Sequence, residues 1–191
     1  MISTKSIQII RKWLDNDYSD LNKIAANVIG KDSGNWFNMF IIDKGSNDGL
    51  KVNMNVLAGD GLVGIVTEVN KSYARVRSII DDESSVTGSF LKTSDMCFVN
   101  GNLKLINKGM IDISGIPADA EIKNGYEVVT SPVSDKYLPG ILIGYARDIE
   151  TDSSNITQSA HLTPAADFSG LDMVLVITEV KDSGDLEDIL N

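Results

Sequence analysis

The stretch Ile41–Val69, IIDKGSNDGLKVNMNVLAGDGLVGIVTEV, decides the fold. It reads as three short strands joined by two tight turns, with Gly45, Asp48 and Gly49 in the first and Gly59-Asp60-Gly61 in the second. Hairpin turns need positive φ, which costs a residue bearing a Cβ about 1 kcal/mol or more. Beyond the second turn Leu62–Val69 alternates. Val63, Ile65 and Val69 fall on one face, and Leu62, Gly64, Val66 and Glu68 on the other. A period of two is a strand, and the run predicts part of a β-barrel or sandwich. No catalytic side chain is spaced through it, so the stretch is architectural.

Upstream, Ile24–Ile29 and Trp36–Asp43 read as strands around a Gly30–Gly34 turn. Ser6–Asp15 has Ile7, Ile10 and Leu14 on one helical face and Arg11, Lys12 and Asp15 on the other. A helix that short needs something to pack on. Downstream, Ala74–Ile80 is a half-buried strand with Arg75 and Arg77 facing out, and Asp81-Asp82-Glu83-Ser84 then breaks the pattern.

A second series of short strands follows: Val86–Leu91, Met96–Val99, Leu103–Ile106, Met110–Ile113, Glu127–Thr130 and Ile141–Ile149. Turn signals at such spacing, with no helix between, predict an all-β protein with a short N-terminal helix. Thr151–Asn155 is another polar break, followed by Ile156–Thr163 and Met173–Val180. The expected organisation is a helix and linker at 1–23 and a first β-barrel from 24–81 plus 156–180. A second β-barrel spans 82–155, and a disordered acidic tail covers 181–191.

With 191 residues the chain has room for one large or two small domains. A net charge of −10 argues against nucleic acid, which needs a basic stripe, and against an anionic lipid surface. Cys97 is the lone cysteine and sits in the apolar run Met96–Val99, so it reads as a buried, inert thiol. No apolar run is long enough to cross a bilayer, and MISTKSIQII lacks a signal-peptide profile. The chain is therefore either cytosolic or a soluble piece of something longer.

Chemistry-bearing motifs are sparse. Gly59-x-Gly61-x-x-Gly64 matches a dinucleotide fingerprint, but the residues after it open a strand where a phosphate site needs a helix. His161 is the one histidine, and only a barrel-type hydrolase pairing it with Ser131 would give it work as a base. Asp81-Asp82-Glu83 lacks calcium-loop spacing, and one histidine with one cysteine makes no zinc site. No cofactor, metal or catalytic residue is expected.

Pro139-Gly140 sets a turn feeding a strand, and Gly144 allows a bulge or close approach within it. The Ser131–Leu138 loop, carrying Asp135, Lys136 and Tyr137, reads as an exposed partner surface, as do open strand edges. A glycan-binding module is a further alternative, although only 6% of residues are aromatic. Trp36 reads as a core anchor and Trp13 as helix packing.

Several pieces in order resemble the rod shape-determining protein MreC family, in its Gram-positive, clostridium-like form. They are Ala26-Asn27-Val28-Ile29, Asn35-Trp36-Phe37, Ile42-Asp43-Lys44-Gly45-Ser46 with Asp48-Gly49, and Gly61-Leu62-Val63-Gly64-Ile65-Val66 with Glu68-Val69. Val76…Ile80-Asp81, Val129-Thr130-Ser131, Leu138-Pro139-Gly140-Ile141, Ile143-Gly144 and Val174-Leu175-Val176 complete the set.

The resemblance implies two small β-barrels side by side behind a helix, and a non-enzymatic scaffold of cell-wall elongation. It implies binding of the elongation penicillin-binding transpeptidase, beside MreD, the RodA glycosyltransferase and the MreB filament, with self-association. It also implies a place on the extracytoplasmic face of the membrane. A cytoplasmic tail, one membrane helix and a coiled coil would precede this chain, and Ser6–Asp15 would be the end of the coil.

Overall fold

The computed structural model describes residues 22–34 and 36–181. The helix expected over 6–15, and all of the expected tail beyond 181, lie outside them.

Twelve strands run through the described residues: β1 (Lys23–Lys31), β2 (Met39–Ile42), β3 (Asn55–Ala58), β4 (Gly61–Val69), β5 (Ala74–Ser78) and β6 (Ser85–Phe90), then β7 (Met96–Asn100), β8 (Ile111–Pro117), β9 (Glu127–Thr130), β10 (Leu142–Thr151), β11 (Thr157–Pro164) and β12 (Met173–Ile177). They close two antiparallel barrels, one in the order β1-β12-β3-β4-β5-β2 and the other β10-β11-β8-β7-β6-β9. Alternation builds both. In β5, Ala74, Val76 and Ser78 are buried while Arg75 is exposed, and in β11, Gln158, Ala160 and Leu162 are buried between half-exposed neighbours. Phe40, Ile42, Leu62, Val66 and Val76 are buried in the first barrel, and Phe90, Val99, Ile111, Ile143 and Leu162 in the second.

The Gly59–Gly61 turn joins β3 to β4 as a hairpin, with Ala58 opposite Gly61 and Gly59 at φ 57°. The Gly45–Gly49 turn does not join neighbouring strands. β2 pairs with β1 and β5, whereas β3 pairs with β12 and β4. Residues 43–54 are therefore a crossing that carries a 3-10 turn at Ser46–Asp48. Gly45 is extended at φ −144°, and only Gly49, at φ 91°, takes the left-handed conformation. The sequence shows apolar runs and a turn, but not that β12, from the far end of the chain, enters the same barrel.

Three further corrections share a cause. β11 belongs to the second barrel, paired with β10 and β8, and not to the first, where 156–180 was expected. The Thr151–Asn155 break is its hairpin turn, closed by the Asp152 amide donating to the Thr157 carbonyl at 2.9 Å. The expected strand Leu103–Ile106 is a turn running into a 3-10 segment, Ile106–Lys108. Lys181, assigned to the tail, is buried, with its Nζ donating to the Pro132 carbonyl. In each case the local pattern was silent about what a segment meets at a distance: β11 pairs with β8, no strand among the described residues pairs with 103–106, and Lys181 reaches Pro132.

Both barrels being closed, neither leaves the open edge strand on which strand addition would depend. β4 is buried on both faces from Gly61 to Val66, because its outer face lies against β10 of the second barrel. At Gly64 a Cβ would sit 2.0 Å from the Arg77 carbonyl oxygen of β5, so only hydrogen fits there.

Candidate functional site

The chain crosses between barrels twice, through 79–84 and 165–172, and side chains fasten the two bodies along this seam. Asn55, at the start of β3 and 1% exposed, is the central fastener. Its Nδ2 donates to the Asn53 and Lys136 carbonyls at 3.2 and 3.1 Å, and its Oδ1 accepts from the Leu138 amide at 2.8 Å. A primary amide offers both donors and an acceptor, so it satisfies a stretch of loop backbone as a strand would.

The loop it grips is the one expected to be an exposed partner surface. Asp135 and Lys136 are exposed, but Tyr137 is 6% exposed and Leu138 5%. Burial pushes the Tyr137 hydroxyl well above its ordinary pKa, opposed in part by a hydrogen bond with Ser84 and by the charge of Arg77. Tyr137 is thus part of the seam and not a contact surface, because its ring buries more apolar area than its hydroxyl costs once paired.

Inside the loop, Thr130 Oγ1 donates to the Leu138 carbonyl at 2.6 Å and accepts from the Ile141 amide at 2.8 Å. Pro139 is buried and Gly140 sits at φ 80°, its amide donating to the Thr130 carbonyl. Gly144 lies at a register shift between β9 and β10 and against the Thr163 carbonyl, which is the bulge and close approach expected there.

The acidic break at 81–83 is tied down too. Asp81 accepts from Asn38 Nδ2 and the Glu83 amide and pairs with Arg77 Nε at 3.6 Å, while Asp82 accepts from the Leu103 amide at 2.8 Å. At the other turns, Asp48 Oδ2 accepts from the Gly45 amide at 3.0 Å and Asp43 takes both the amide and the side-chain nitrogen of Asn27. Those Asn27 hydrogen bonds hold the Asp43 pKa below the usual carboxylate value. Asp60 is exposed at the tip of the β3–β4 hairpin.

The second barrel carries an apolar strip on its outer face. Leu91, Met96 and Phe98 are 44%, 41% and 45% exposed. Across the ladder Met96 faces Ser89, and Phe98 faces Thr87 and Ser114, all uncharged. Phe98 lies over Gly115, where a Cβ would come within 2.8 Å of its ring. Large exposed apolar side chains sharing one face make this strip the candidate interaction surface. The sequence reading missed these residues, because the run Met96–Val99 is apolar on both faces and does not say which face is outward. With Cys97 and Val99 buried, a period of two turns Met96 and Phe98 outward.

The residues of the hydrolase alternative are not brought together. Ser131 is buried, its amide donating to Thr87 and its Oγ accepting from the Val133 amide. His161, on β11, faces Asp148 at 3.3 Å and Asp112 at 3.7 Å. These three line an open cavity of about 310 Å³ with Glu150 and Ser159. Among the described residues no group of three or more His, Cys, Asp or Glu side chains is placed to hold a metal ion. Cys97 is buried, and desolvation pushes its thiol up to about 12.

A second cavity, about 430 Å³, opens at the seam between Trp36, Asn107 and residues 163–169. Trp36 Nε1 donates to Asn107 Oδ1 at 3.1 Å, from one barrel to the other. Trp36 packs against the core as expected, yet it is only half-buried.

Two closed barrels joined by hydrogen bonds across a seam, with an apolar strip on one, define a tandem-barrel protein. The MreC barrel-core family, rod shape-determining protein MreC, matches residues 28–178, and the chain belongs to it. A cell shape-determining protein MreC of Listeria monocytogenes is 32% identical over 173 residues, covering 90% of this chain and 58% of the relative. The chain thus spans little more than half the length of such relatives. A solved structure of MreC from the same genus is 30% identical with a TM-score of 0.75, covering 94% of this chain and 88% of that one. A solved complex of penicillin-binding protein PBP2 with MreC from Helicobacter pylori shares the fold, at 19% identity and a TM-score of 0.65 over 84% of this chain and 99% of that one.

Proposed function

We propose that this chain is the extracytoplasmic scaffold that holds and orients the elongation penicillin-binding transpeptidase, a non-enzymatic role in peptidoglycan synthesis and rod shape. The observation that carries it is the Leu91–Met96–Phe98 strip, three large apolar side chains on a closed, edge-free barrel in a chain of net charge −10. Membership of the MreC family and the PBP2 complex of the Helicobacter pylori relative support the choice of partner. Rigidity gives the mechanism. A locked pair of barrels that docks one conformer of a transpeptidase raises that conformer's population without touching its chemistry. In the whole protein a membrane helix and coiled coil would precede these barrels, self-association would follow from the coil, and MreD, RodA and MreB would complete the assembly.

The test is binding of the elongation transpeptidase from the same organism to the purified chain by interferometry. Phe98→Glu and Met96→Glu, which place a charge on the strip, are expected to weaken binding at least about tenfold with the melting temperature unchanged. Unaltered binding by both variants would refute the surface, and absence of binding by the unmodified chain would refute the partner.

A further inference from the structure

The two cavities differ in what they can hold. The His161 cavity is lined by Asp112, Asp148 and Glu150 and has no Phe, Tyr or Trp in its lining among the described residues, and its imidazole already faces two of those carboxylates. The seam cavity joins carbon surface to hydrogen-bonding groups: Trp36, Ile106 and Phe168 on one hand, Asn107, Asp167 and Ser169 on the other. At about 430 Å³ it is within the range of small-molecule sites.

Its polar groups are set in place before any ligand arrives. Asp167 Oδ1 accepts from the Ser169 amide at 2.9 Å and from Ser169 Oγ at 2.6 Å, while Oδ2 receives no hydrogen bond among the described residues. Those bonds hold the carboxyl below its ordinary pKa, so it is an ionised acceptor at neutral pH. Asn107 spends Oδ1 on Trp36 Nε1, and its Nδ2 donors have no protein partner among the described residues. That bond fixes the Trp36 ring across the two barrels. The ring is therefore pre-oriented, and a ligand stacking on it loses little to ordering.

One ligand chemistry needs both halves. A pyranose presents a C–H face that packs on an aromatic ring and hydroxyls that bond to carboxylate and amide groups. We propose that the seam cavity between Trp36, Asn107 and Asp167 is a binding site for an N-acetylhexosamine unit of a glycan. The N-acetyl assignment rests on the reading that the protein works at the cell wall. The cavity chemistry by itself selects a neutral sugar, since a carboxylate on the rim repels an anionic one.

The experiment titrates the chain with N,N′,N″-triacetylchitotriose, reading Trp36 fluorescence in a Trp13→Phe background, since the sequence has two tryptophans. The expected result is a saturable change with a Kd in the range of about 0.1–10 mM. Asp167→Ala and Asn107→Ala should each weaken it about threefold to tenfold, measured at a temperature where both variants remain folded. No saturable change up to about 20 mM, or a change untouched by both substitutions, overturns the site. Cellotriose binding as tightly as the chitotriose overturns the N-acetyl assignment. Transpeptidase binding is measured on the same samples. If it persists while the sugar fails to bind, the sugar site alone is lost. If the transpeptidase fails to bind while the sugar does, the scaffold reading is lost and the site stands.

Discussion

Removing the Asn55 amide should uncouple the two barrels. In Asn55→Ala the Leu138 amide, now held at 2.8 Å, loses its acceptor, and the Lys136 and Asn53 carbonyls lose a donor at 3.1 and 3.2 Å. Leu138 is 5% exposed, so its N–H has little access to replacement water. An unpaired buried donor costs about 1–3 kcal/mol. The two carbonyls, which have second lone pairs and nearer solvent, add about 1 kcal/mol between them. The expected loss is therefore about 2–4 kcal/mol, or roughly 4–16 °C in melting temperature for a domain of this size.

Urea unfolding in a Trp13→Phe background, followed in parallel by circular dichroism and tryptophan fluorescence, is the assay. Trp36 lies in the first barrel, so the two probes should separate once the seam no longer couples them. Asn55→Asp is the informative companion, because it retains an acceptor for Leu138 but points a carboxylate at two carbonyls, and should be at least as damaging. A loss below about 0.5 kcal/mol with coincident transitions in both variants would refute the seam as described.

Gly64→Ala should destabilise by about 1–3 kcal/mol or more, since its Cβ would meet backbone, the Arg77 carbonyl oxygen at 2.0 Å. A thermal melt equal to that of the parent would refute the close approach. Burial holds the Cys97 thiol up to about 12, against 9.0 for the exposed group, so the unfolded chain deprotonates first and stability falls as pH rises above about 9. Cys97→Ala should flatten that alkaline limb, and a thiol reagent at pH 8 should label the native chain only in urea; rapid native labelling would contradict the burial. Asp43, with its pKa lowered by Asn27, contributes stability above its ordinary value of 3.8 that is lost as pH falls through the folded value. Asp43→Asn should therefore narrow the gap between urea midpoints at pH 7 and pH 3; an unchanged gap would show that the Asn27 pairing carries none of the acid sensitivity.

The amino-acid sequence by itself determined the elements and most of their faces. Glu127–Thr130 was readable to the residue as a short apolar run between turn signals, and Ala74–Ser78 to its inward and outward sides, because a period of two is a local property of the chain. It also marked the Gly59–Gly61 hairpin, where a positive φ and a two-strand ladder depend only on neighbours. What only the tertiary structure decided was pairing at a distance. That β12 separates β1 from β3, that β11 joins the second barrel, and that Tyr137 is buried at the seam with Ser84 as its hydrogen-bond partner follow from which surfaces meet. Nothing in the sequence singled out Asn55, which fastens the two barrels, since an amide's worth depends on the backbone it faces. Met96 and Phe98 were hidden in the opposite sense. A run apolar on both faces shows no preference in sequence, and only barrel closure decided which side would meet solvent.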